Sequence, residues 1–175
     1  MVDDRRVTFA RKWLERAQSD YDEFDRFFAA WIALVAAAQR VRDGMGQRIE
    51  DDTDRLRVID YFRVNQAAVV RALRRCDMEM KALAARRGEM YGNTIVDTGN
   101  RDLRELFGRL SRSYVNNAPM NEQEKVVALA ELLNKVRNNV FHGVKVYDDR
   151  ADLELLRFIN PILVAVLSEA VGGSV

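Results

Sequence analysis

The chain has 175 residues, 48% of them hydrophobic, with 28 Lys or Arg against 27 Asp or Glu and a net charge of +1. That length suits one domain with a real core, and the near-neutral balance excludes a global attraction to nucleic acid. A single cysteine, Cys76, excludes an internal disulfide and, with a single histidine, argues against a zinc cluster of Cys and His ligands. No cofactor and no metal are expected.

The start, Met-Val-Asp-Asp-Arg-Arg, lacks the apolar segment of a signal peptide, and the longest apolar run, Phe27 to Ala38, is too short for a membrane span. A soluble, cytoplasmic protein without a membrane partner is the expectation. Phe9, Trp13, Ala17, Tyr21, Phe24, Phe28, Trp31, Val35 and Ala38 recur at spacings of three and four, predicting a long amphipathic helix from Thr8 to about Arg42. Ser19 with Asp22 offers a capping box, so a second helix beginning there is the alternative. The aromatic stripe reads as core, with a dimer surface as its second use.

Gly44-Met-Gly46 ends this segment, and Asp51, Asp52 or Thr53 can cap the next helix. Ile59, Phe62, Gln66, Val69, Leu73, Cys76, Met80 and Leu83 trace a second long helix, which puts Cys76 on its apolar side as a buried, inert thiol. Along it, Arg63, Arg71, Arg74, Arg75, Lys81, Arg86 and Arg87 face only Asp77 and Glu79. A second basic group is Arg101, Arg104, Arg109 and Arg112, diluted by Asp102 and Glu105. Each can bind nucleic acid locally, although a solvated helix face is the plainer reading.

Residues 86–100, with Gly88, Gly92 and Gly99 among Asn and Thr, read as an irregular loop that could wall a site. A short helix from Arg101 to Ser113 follows, then a turn at Asn116-Asn117-Ala118-Pro119. Asn121 with Glu124 resembles a capping box that opens a helix over about 121–142. The last helix covers about 149–171, capped by Asp148 or Asp149; Pro161 should kink it near Arg157 or Phe158, or Asn160 should cap a fresh start. With no strand-period segment, the chain reads as one all-α domain over 1–175, an antiparallel bundle of four to five main helices.

The penultimate helix carries the chemistry. Advancing 100° per residue places Val126, Leu129, Leu133, Val136 and Val140 on one stripe, and Arg137 falls inside it. A guanidinium beside apolar surface must be compensated by an ion pair, an interface or a site that receives an anion. Asn138 and His142 are four residues apart and share one flank, and Gly143 can stop the helix.

Arg137-Asn138-x-x-x-His142 at the end of a helix, followed by Gly143 and Lys145, resembles the HEPN family (higher eukaryotes and prokaryotes nucleotide-binding). Many of its members are metal-independent endoribonucleases, so the resemblance implies a HEPN-like helical bundle and a catalytic set of Arg137, Asn138 and His142. Histidine suits proton transfer because its ordinary pKa, about 6.5, lies near working pH. Arginine suits the crowded phosphorus because its planar fork donates two bonds to one phosphate. Asn138 can orient His142 or hold a phosphate oxygen, and Lys145 and Tyr147 are the nearest spare proton carriers. One histidine is too few for both acid and base. The resemblance therefore implies a homodimer with the motif helices near the two-fold axis, an RNA substrate, and a toxin or defence role checked by a protein or nucleotidyltransferase-type antitoxin. Two other readings stay open: a non-catalytic module for a nucleotide, an RNA or a protein, and a plain helical interaction protein whose lone histidine caps its helix.

Overall fold

The computed structural model describes residues 5–19, 22–45, 53–85, 101–141 and 150–172, and these form an all-α bundle. Among the described residues there are eight helices: α1 (Arg5–Gln18), α2 (Glu23–Met45), α3 (Asp54–Val64), α4 (Gln66–Arg75), α5 (Asp77–Ala85), α6 (Arg101–Val115), α7 (Glu122–Phe141) and α8 (Arg150–Gly172). None is long and apolar enough to cross a membrane.

The first apolar stripe is divided, as the capping alternative allowed, but Asp22 rather than Ser19 starts the new helix. Asp22 Oδ1 accepts from the N–H groups of Phe24 and Asp25 at 2.9 and 3.0 Å, filling two donors that a helix start leaves open. Ser19 closes α1 instead, its hydroxyl donating to the Arg16 carbonyl at 2.6 Å.

The second long helix is a rod with two joints. Asn65 (φ −98°, ψ 25°) and Cys76 (φ −99°, ψ 32°) leave helical dihedrals, yet each joint residue is hydrogen-bonded to the helices on both its sides. Val69 N–H reaches Asn65 O at 3.0 Å, and Met80 N–H reaches Cys76 O at 2.9 Å. At Asn65 the cause is local: its side-chain amide and its backbone N–H both donate to the Tyr61 carbonyl, a competition periodicity does not register. Cys76 is buried as expected, and burial pushes its thiol above the usual range, which keeps it protonated and unreactive.

The cap of α3 is Thr53, whose hydroxyl accepts from Leu56 N–H at 3.4 Å. At α7 half of the anticipated box forms. Asn121 Oδ1 accepts from Glu124 N–H at 2.7 Å, while the Glu124 carboxylate meets Arg109 at 2.6 Å. Through α8 the helix runs continuously past Pro161, so the fresh start capped by Asn160 is not seen. Asn160 is fully buried and serves another helix: its amide donates to the Glu23 carbonyl and side chain at 2.8 and 2.7 Å, tying α8 to the first turn of α2. The expected caps Asp148 and Asp149, and the loop 86–100, lie outside the described residues.

Helix α7 is the pillar of the core. Its stripe at Val126, Leu129, Leu133 and Val136 is buried, and so is the whole run from Ala128 to Asn134, so this part is enclosed on every side rather than along one face. Phe27 and Leu34 of α2, Phe62 of α3, and Leu156, Ile159 and Ile162 of α8 contribute to the same core. From Arg137 to Val140 the helix is half-buried, and Phe141 is exposed. The emerging end of a buried helix is where a rigid scaffold presents side chains.

Candidate functional site

The last turn of α7 opens onto an open-sided cavity of about 520 Å³. Helix α2 supplies most of the floor, with Trp31, Ile32, Val35 and Ala36, and Gln39 stands at its side. Arg6 and Phe9 of α1, Asp54 and Arg57 of α3, and Arg137 and Phe141 of α7 complete the wall.

Arg137 is held on several sides and satisfied on few. Its side chain is 29% exposed. Nη1 donates to Asn138 Oδ1 at 3.0 Å. Nη2 stands 3.6 Å from Asp54 Oδ2, an ion pair longer than a hydrogen bond. Nε is buried and has no acceptor. The guanidinium lies 4.8 Å from the centroid of Phe141 and 6.0 Å from that of Trp31, so aromatic faces supply part of what the carboxylate does not. Phe141 is itself fixed edge-on against Phe28, with centroids 4.3 Å apart. The arginine inside the apolar stripe is thus compensated, but loosely.

Asp54 is shared: its Oδ1 also faces Arg57 Nη1 at 3.3 Å. One carboxylate therefore stands between two guanidiniums at the cavity edge. Its neighbour Arg55 makes the reverse bridge from α3 to α7, donating from Nε to Glu131 Oε2 at 2.8 Å and from Nη2 to the other oxygen. The two bridges run in opposite directions and lock the start of α3 against α7, which places Asp54 beside Arg137.

Of the residues expected from the sequence, Arg137 and Asn138 are brought together directly. The Asn138 carbonyl oxygen accepts from Arg137, and its amide N–H groups remain for an anion. His142, Gly143, Lys145 and Tyr147 lie outside the described residues. Asp54, Trp31 and Phe141 were not singled out as site residues. Phe141 was detectable, being four residues after Arg137 on the same flank. Asp54 was not, since an acidic residue after a threonine cap is the ordinary way to begin a helix.

The basic stretch along α3 to α5 is an ion-paired surface. Arg63 meets Asp60, Arg71 and Arg75 both meet Glu169, Arg74 meets Glu122 at 3.0 Å, and Lys81 meets Asp77 at 2.6 Å. Arg86 and Arg87 lie outside the described residues. In the second group Arg109 is taken by Glu124.

Comparison with family models, with characterised proteins and with solved structures gives no match.

Proposed function

We propose that the chain is a metal-independent endoribonuclease of HEPN type that acts as a homodimer. What carries this reading is the loosely satisfied Arg137, set by Asn138 and Asp54 in the wall of a cavity, five residues before the single histidine in the sequence. In the proposed reaction a base removes the 2′-hydroxyl proton, that oxygen attacks phosphorus, the bond to the 5′-oxygen breaks, and an acid protonates the leaving oxygen. The products are a 2′,3′-cyclic phosphate and a 5′-hydroxyl. Arg137 donates to the oxygens of the crowded phosphorus, and Asn138 holds its fork in place. His142 carries one proton transfer and a second copy's motif the other, with Lys145 and Tyr147 as spare carriers. The role that fits such an enzyme is a toxin or defence effector, restrained in the cytoplasm by a protein or nucleotidyltransferase-type antitoxin.

The test is incubation of purified protein with mixed tRNA and mRNA in EDTA, beside Arg137→Ala and His142→Ala. Cleavage leaving cyclic phosphates in the parent and in neither variant is the expected result. Metal-free inactivity of a folded dimer overturns the reading and favours a non-catalytic binding module, which the apolar walls of the cavity suit.

A further inference from the structure

The cavity beside Arg137 is larger and more apolar than a phosphate contact requires. Its size falls within the range of small-molecule sites, which are mostly apolar and carry a few convergent polar groups. Hydrated ribose and phosphate gain nothing from the surfaces of Ile32, Val35 and Ala36, whereas a ring system or an acyl chain does. At one edge Arg57 and Arg137 both face the carboxylate of Asp54. Arg137 keeps donor capacity there, with Nη2 beyond hydrogen-bond length from Asp54. Phe9 and Phe141, 48% and 37% exposed, line the cavity and add apolar surface to it.

We propose that this cavity binds an amphipathic organic anion, its apolar body against Val35, Ala36 and Phe141 and its carboxylate or sulfonate on the guanidinium of Arg137. The anionic head matches the donor that Arg137 leaves open, and the body matches the walls. The ligand shares Arg137 with the proposed cleavage, but its binding is measured without RNA, so either reading can fail while the other stands.

The experiment titrates the full chain with anilinonaphthalene sulfonate and follows dye fluorescence. One saturable site is expected, weakened about tenfold in Arg137→Met by loss of a charge-assisted contact and abolished in Ala36→Phe, which fills the cavity. Circular dichroism confirms that each variant is folded, and Arg137→Met keeps the test decisive if Ala36→Phe is not. Decanoate or naphthoate should displace the dye, the better competitor identifying an aliphatic or an aromatic source, while decanol should not. Non-saturable binding, equal displacement by decanol, or an unchanged affinity in Arg137→Met overturns the proposal.

Discussion

Two arginines join α3 to α7, and the protein treats them differently. Arg55 engages both oxygens of Glu131, a carboxylate whose side chain is only 8% exposed, so each partner answers the other's need. Arg137 meets one oxygen of Asp54 at 3.6 Å and keeps a buried Nε without an acceptor. A buried polar group left unsatisfied costs stability, and folds tolerate that mainly where the group has another use. The saturated bridge is structure; the unsaturated one is where a ligand can be received.

The sharpest way to break this comparison is to replace each arginine by methionine and measure RNA cleavage. Arg137→Met should lower the rate at least about a hundredfold, the size expected when one donor to a developing oxyanion is removed. Arg55→Met, assayed at equal folded concentration, should retain the parent rate. Equal losses in both would make the Arg137 bridge a structural element like its neighbour.

Stability should rank the same two variants in the opposite order. Arg55→Met strands Glu131 in the core without its partner and should cost about 2 kcal/mol in urea unfolding, less than for a fully buried pair because Arg55 itself is half exposed. Arg137→Met removes an under-satisfied guanidinium from an apolar stripe and leaves Asp54 with water and Arg57. Its stability should stay within about 1 kcal/mol of the parent, on either side. A loss from Arg137→Met as large as that from Arg55→Met would mean that the fold needs both bridges.

How far the sequence reaches follows the same division between local and long-range causes. The all-α class, the stripe of α7 and the cap at Asn121 were legible because each depends on neighbours three or four residues away. The misplaced arginine was legible too, since Arg137 breaks a pattern that its own helix sets. What answers it was not: Asp54 and Trp31 come from distant stretches, and nothing local marks them as its companions. The joints at Asn65 and Cys76 escaped because the apolar period continues through both, while the backbone departs from it over one residue. The basic run on α4 and α5 looked available because the acids that neutralise much of it, Glu122 and Glu169, lie on α7 and α8.

That neutralised surface supplies the smallest effect. Glu169 accepts from Arg71 Nε at 2.9 Å and also meets Arg75, and the hydrogen bond from Arg71 is the first cause holding its carboxyl below the usual 4.5. A carboxylate whose pKa is lower folded than unfolded binds fewer protons in the native state. Its stabilisation is therefore complete above about 4.5 and is lost as the pH falls through the folded value. Arg71→Gln removes the hydrogen bond, so its melting temperature should lie slightly below the parent's at neutral pH, and the gap should close on acidification. Because Arg71 is half exposed, added salt should narrow the neutral-pH gap as well. A gap that survived both acid and salt would place the contribution of Arg71 in packing, and this face would then differ from the Arg137 edge in shape rather than in charge.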